Sequence, residues 1–218
     1  MSKPKLTYFP VGGRGEGIRA LLAHSGFEYE DHRVTATEFA PVKEQTPLGG
    51  VPVWTEDGFV MCQSSSILRM LGIRLGYYTD DPITAWAIDS LVDFAESNQP
   101  KFGGYVYPFA RFGNPLDEAD GDSWIERSWG VVCPVYEKRL AEHGRKFIGG
   151  TDTPTIADFK CFQHNIGFTE LNASTPISRA VLDKINAKFA QYPAYSRWVE
   201  NMKVECAEYI KNRKPTPM

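Results

Sequence analysis

Apolar and polar positions in the first third of the chain follow no single period. Lys5 to Tyr8 reads as a short strand that stops at the glycine-rich turn Gly12-Gly13-Arg14-Gly15. Ile18, Leu21 and Leu22 then share one helical face, which predicts a helix from Glu16 to Ser25 that Gly26 ends. Tyr29 to Val34 reads as a second strand, whereas Phe39 to Glu44 is too short to assign. Val51 to Thr55 is a strand opened by Pro52, and the turn signal Glu56-Asp57-Gly58 predicts that Phe59 to Cys62 folds back on it as a hairpin. Ser64 to Leu75 is a helix with Ile67, Leu68 and Leu71 on one face.

After a polar, proline-bearing break at Tyr78 to Pro82 the pattern becomes helical almost throughout. The predicted helices are Thr84 to Ser97, Ser123 to His143, Thr155 to Asn165, Ser178 to Gln191 and Tyr195 to Asn212. Gln99 to Gly113 stands apart, with Phe102, Tyr105, Tyr107, Phe109 and Phe112 set among glycines and prolines. The expected organisation is a small α/β domain over residues 1–78, a linker over 79–85 and an all-α domain over 86–218.

Bulk properties narrow the function. A chain of 218 residues has room for one large domain or two modest ones, each with a core of its own. Charged residues make up 23% and the net charge is −3, so disorder throughout is excluded and a phosphate-reading nucleic-acid surface is not indicated. Cys62, Cys133, Cys161 and Cys206 form no C-x-x-C pair, and His24, His32, His143 and His164 show no ligand spacing, so no metal site is expected. With no signal peptide or membrane-length apolar run, the expectation is a soluble cytoplasmic protein that meets neither membrane nor nucleic acid.

Three short stretches carry candidate chemistry. At the end of the first strand, Tyr8 supplies a phenolic donor and Arg14 a cation, a pairing suited to stabilising a negative atom. Gln63 and Ser64 precede a helix whose free N–H groups and dipole favour a carboxylate, although spacing alone favours a serine that caps its own helix. At Val51-Pro52, a cis proline would turn the Val51 backbone outward to pair with an extended peptide; the alternative is an ordinary strand-start proline. Gly13, Gly15 and Gly17 give G-x-G-x-G, which is not the dinucleotide fingerprint.

Taken in order and spacing, these stretches resemble the cytosolic glutathione S-transferases over essentially the whole chain. The matching segments are Tyr8-Phe-Pro-Val with Arg14, Gly49-Gly-Val-Pro52, Gln63-Ser-Ser-Ser-Ile-Leu-Arg69 through Leu75-Gly-Tyr-Tyr78, Asp89-Ser-Leu-Val-Asp93 and Thr155-Ile-Ala-Asp158. The resemblance is to the tyrosine-type group, with the first domain most similar to the pi and sigma classes. It implies a thioredoxin-like amino-terminal domain and an all-α carboxy-terminal domain, glutathione as co-substrate, and a homodimer.

Residue roles follow from that resemblance. Tyr8, assisted by Arg14, would hold the glutathione thiol as thiolate. Val51, beside Pro52, would bond the cysteinyl backbone, and Gln63 and Ser64 would hold the γ-glutamyl carboxylate. Lys43 would meet the glycyl carboxylate, and Asp93 would reach the γ-glutamyl amine bound by the partner subunit. Phe39 and Gly50 stand where many relatives carry an indole and a longer polar side chain, which implies weaker glutathione binding. Leu48 replaces an aromatic dimer key. Phe9, Val11, Phe102, Tyr105 and Phe109 are the candidates for the apolar wall of the second substrate. The implied activity is conjugation of the thiolate to a hydrophobic electrophile; the alternatives are a glutathione-dependent isomerase or peroxidase, or a non-catalytic ligand-binding or structural relative. The Thr155-x-x-Asp158 motif is read as a helix capping box with no catalytic part.

Overall fold

In the computed structural model, which describes residues 3–112, 118–169 and 177–214 with backbone alone at 105–112 and 118–119, the first third forms a four-stranded mixed sheet. Its strands are β1 (Lys5–Tyr8), β2 (Glu30–Arg33), β3 (Val53–Glu56) and β4 (Phe59–Cys62), in the order β2-β1-β3-β4. The β1–β2 pair is parallel and is joined through helix α1 (Gly13–Ser25); β3 runs antiparallel to both β1 and β4. Helix α2 (Phe39–Glu44) fills the stretch too short to assign, and α3 (Ser64–Leu75) follows the hairpin. This is the thioredoxin-like arrangement. The predicted hairpin forms with Asp57 at φ 48° and Gly58 at φ 85°, the pair of positive φ values that matches the twist of a tight hairpin.

The register places the site. Thr7 pairs with Val53, and Val53 with Cys62. The next residues outward, Tyr8, Pro52 and Gln63, therefore leave the sheet at the same end.

The helical part comprises α4 (Pro82–Phe112), α5 (Glu118–Arg127), α6 (Trp129–His143), α7 (Ile156–Phe168), α8 (Arg179–Phe189), α9 (Pro193–Glu205) and α10 (Ala207–Asn212). Three expectations change. The helix expected to end at Ser97 continues to Phe112, past Gly103 and Gly104. Phe102, fully buried, anchors that continuation, and the Trp124 indole donates to the carbonyls of Lys101 and Phe102 at 3.0 and 3.1 Å. The span expected as one helix from Ser123 to His143 breaks at Ser128, whose hydroxyl turns back to the Trp124 carbonyl at 2.6 Å. The span from Tyr195 to Asn212 likewise divides at buried Cys206.

The two parts share one core. Leu6, Leu21, Trp54 and Leu68 of the sheet layer join Ile88, Phe159, Phe162 and Trp198 of the helices in a single buried cluster. Helices α1 and α7 meet closely at Gly17, where an added Cβ would lie 2.9 Å from the Phe159 carbonyl oxygen. The Thr155–Asp158 capping box forms as expected. Buried Asp158 also accepts hydrogen bonds from Ile148 N–H at 2.9 Å and Trp198 Nε1 at 2.8 Å, tying α7 to the preceding loop and to α9. Among the described residues no helix is long and apolar enough to cross a membrane, and no group of three histidine, cysteine or acidic side chains is placed to hold a metal.

Candidate functional site

Tyr8 ends β1 with only 7% of its surface exposed. Its ring lies against the first turn of α1, and the glycines there make room for it. A Cβ on Gly13 would stand 2.8 Å from the Tyr8 oxygen, and one on Gly15 2.5 Å from a ring carbon. The backbone N–H of Arg14 donates to the phenolic oxygen at 3.1 Å. That bond fixes the oxygen and leaves the phenolic proton to be donated elsewhere. Burial pushes the phenol above its ordinary value, outweighing the opposing pull of the Arg14 N–H and of the Arg14 and Arg19 charges. Tyr8 therefore stays a neutral donor through the physiological range.

Arg19 holds the loop that follows Tyr8. It is 1% exposed, donates to the carbonyls of Val11 at 2.7 Å and Phe9 at 3.1 Å, pairs with Asp31 at 3.0 Å, and sets its guanidinium 5.6 Å from the Tyr8 ring centroid. Phe9 and Val11 are thus held at the rim by their backbone. The Phe9 ring meets the edge of Phe39 with centroids 5.0 Å apart, so two of the expected site residues touch.

A polar cluster joins Tyr8 to α3. Arg14 Nε donates to Glu96 Oε1 at 2.6 Å; Glu96 Oε2 accepts from Ser64 Oγ at 3.2 Å and from Lys160 Nζ at 2.7 Å. Burial pushes the Glu96 carboxyl up, but Lys160 and Arg14 outweigh it and hold it below the usual carboxylate range. The capping role weighed for Ser64 is overturned, because Ser64 is already the first helical residue and its hydroxyl bonds Glu96 instead. Gln63 before it is exposed and held at φ 72° and ψ 109°, a conformation that costs a non-glycine residue about 1–3 kcal/mol.

The remaining expected residues are placed as follows. The Val51-Pro52 peptide is cis, Pro52 is buried and Val51 half-buried, just beyond the paired stretch of β3. Lys43 is exposed, and its stem lies beside Gly49 next to Gly50. Asp93 is an exposed carboxylate held by Arg69 at 2.7 Å, one turn along α4 from Glu96. Phe102 is corrected: it is fully buried and stacked on His164 with centroids 3.7 Å apart, so it belongs to the core and forms no part of a substrate wall. The side chains of Tyr105 and Phe109 lie outside the described residues. Leu48 is 64% exposed.

The family described as Glutathione S-transferase, N-terminal domain, matches residues 4–72. Glutathione S-transferase 1 of Ascaris suum is 30% identical over 203 residues, which span 91% of this chain and 96% of that protein. The chain belongs to the glutathione S-transferase family. Probable glutathione S-transferase 8 of Caenorhabditis elegans is 46% identical over 167 residues, 73% of this chain and 77% of that one. Hematopoietic prostaglandin D synthase of Gallus gallus is 38% identical over 93 residues, 43% and 47% of the two chains. The glutathione S-transferase fold extends to both parts: monomeric Na-GST-3 from the hookworm Necator americanus superposes with a TM-score of 0.80 at 22% identity over all of both chains.

Glu96, Lys160 and Arg19 escape the sequence reading of this glutathione S-transferase. Glu96 lies inside a helix that also carries Asp89 and Asp93, and nothing local marks it. Lys160 does carry a signal, a lone cation within Ile156-Ala-Asp-Phe-Lys-Cys-Phe, the most buried stretch of the chain. Arg19 stands among Ile18, Ala20 and Leu21, also a cation at buried positions.

Proposed function

We propose that this chain is a glutathione transferase in which the Tyr8 hydroxyl holds the glutathione thiol as thiolate for attack on a hydrophobic electrophile. The observation that carries the reading is the Tyr8 hydrogen bond: its oxygen, at the end of the sheet, already accepts from Arg14 N–H and keeps its own proton to donate. A free thiol near pKa 8.5 is only a few per cent ionised at neutral pH. Lowering it by about two units takes roughly 2.7 kcal/mol, within reach of one charge-assisted bond helped by neighbouring dipoles. The thiolate then attacks an electrophilic carbon and expels its leaving group with the bonding pair.

In this reading glutathione lies along the end of the sheet. Val51 offers its backbone to the cysteinyl unit beside Pro52. The N-terminus of α3, with Gln63 and Ser64, receives the γ-glutamyl carboxylate. Lys43 faces the glycyl carboxylate near Gly50 and Phe39, and Phe9 and Val11 border the electrophile. Asp93 acts across a dimer interface. It falls on one face of α4 with Ile83, Trp86 and Ser90, and that face exposes Ile83 at 72% and Trp86 at 62%.

Turnover of a chlorodinitrobenzene-type electrophile, compared between wild type and Tyr8→Phe, tests the reading. A drop of about tenfold or more in kcat/KM with unchanged fold is expected; equal turnover would remove Tyr8 from the mechanism. Similarity to a prostaglandin D synthase favours one second reading, isomerisation of an endoperoxide by the same thiolate. Product analysis with an endoperoxide substrate separates the two.

A further inference from the structure

Glu96 is placed awkwardly for a site that receives a carboxylate. Its Oε2 sits 3.2 Å from the hydroxyl of Ser64, the first residue of α3, where the free N–H groups of the helix face an anion. A bare carboxylate there would repel the anion the helix attracts. Two cations meet Glu96, one on each oxygen: Arg14 of α1 at 2.6 Å and Lys160 of α7 at 2.7 Å. Arg14 is 42% exposed at its side chain, so water screens it. Lys160 is 1% exposed, and the charge it presents to Glu96 is unscreened. The next acid along α4, Asp93, is taken up by Arg69. Glu96 is the ion-pair partner that the structure gives Lys160.

We propose that Lys160 is a positioning residue for glutathione, cancelling the Glu96 carboxylate from beneath so that Glu96 can hold Arg14 and Ser64 without repelling the γ-glutamyl carboxylate. Lys160 touches no ligand. It converts an acid at the wall of an anion site into an anchor for two ligand-facing groups, and leaves the cluster with one surplus positive charge. This rests on the glutathione site proposed above.

The test is calorimetric titration of glutathione into wild type, Lys160→Met, Glu96→Gln and the Lys160→Met/Glu96→Gln double variant, with thermal melts on each. Lys160→Met should weaken binding about tenfold, the scale of a lost charge-assisted contact. The double variant, which removes the repelling carboxylate along with its cation, should bind more tightly than Lys160→Met alone. In addition, the ultraviolet thiolate signal of bound glutathione should titrate at higher pH in Lys160→Met than in wild type. A purely structural lysine would move the melting temperature without that rescue or that titration. Should Lys160→Met not fold, Lys160→Gln, which retains a donor to Glu96 and loses the charge, takes its place with the same expected weakening. Unchanged affinity in the lysine variants, or a double variant that binds no more tightly than Lys160→Met, overturns the proposal while the glutathione site stands. Wild-type protein that binds no glutathione at millimolar concentration overturns the site reading and this proposal together.

Discussion

At the scale of single residues, the site combines one donor kept neutral with one backbone held out of its comfortable range. Burial keeps Tyr8 protonated beyond the ordinary phenol value, so its ionisation cannot supply the rising limb of a pH–rate profile in the neutral range. In the proposed mechanism that limb belongs to the bound thiol. It should lie below the free thiol value of about 8.5 in wild type and move up toward it in Tyr8→Phe, read from kcat/KM against pH. Gln63 offers the complementary measurement. A glycine adopts φ 72° without the steric cost that glutamine bears. Gln63→Gly should leave the melting temperature unchanged or raised while increasing KM for glutathione several-fold, a split that separates ligand binding from fold. Tyr8, Val51-Pro52, Gln63 and Ser64 were legible because each occupies a short local motif. Glu96 and Lys160 were not, because their meaning lies in a contact between residues 64 positions apart. Phe102 misled in the opposite way: an aromatic near glycines looks like a pocket wall until its stacking on His164 shows it buried.

At the scale of elements, α1 does the most positioning. Its first turn accommodates Tyr8 through Gly13 and Gly15, its middle packs on α7 at Gly17, and Arg19 ties it to both the Phe9–Val11 loop and β2. The tie to β2 is Asp31. Burial raises the Asp31 carboxyl, but Arg19 and Arg33 outweigh it and bring it below its unfolded value. Its stabilisation is therefore fully present above the unfolded pKa of about 3.9 and is lost as pH falls through the folded one. Asp31→Asn strands the buried Arg19 charge and should cost about 3 kcal/mol near neutrality. Chemical denaturation across pH checks the sign, since the gap between variant and wild type should narrow as pH drops below about 4. The strands and α3 were readable from alternation and turn chemistry to within a residue or two. The breaks at Ser128 and Cys206 were not, because neither residue type stops a helix by itself and the burial of each exists only in the folded chain.

At the scale of the whole molecule, the continuous core joins the sheet layer and the helices into one body. One face of α4 remains uncovered, with Ile83 and Trp86 exposed beside the groove that Phe94 and Val135 line near Arg139. With Asp93 on the same face, pairing of two chains here would complete each site from the other. Sedimentation equilibrium should return twice the chain mass, and Trp86→Glu should return the monomer with weakened glutathione binding; a wild-type monomer with full affinity would remove Asp93 from the site. The division into a sheet part and a helical part was visible in the change of hydrophobic period near Tyr78. How the parts share a core was not, since periodicity says which face is buried and not what covers it.

The hairpin turn at Asp57 and Gly58 has a role unrelated to its exposed position. Because Thr7, Val53 and Cys62 stand in one register across three strands, the number of residues in that turn sets where Gln63 leaves the sheet relative to Tyr8. In the proposed binding mode the turn works as a length gauge for the distance between the thiol end and the carboxylate end of the ligand. One glycine inserted after Gly58 would advance β4 by a step, turn its side chains to the other face and carry the start of α3 out of line. Glutathione affinity should then fall sharply in a variant altered only at the edge remote from the ligand, whereas the same insertion in the solvent-facing loop at Arg145 should leave affinity intact.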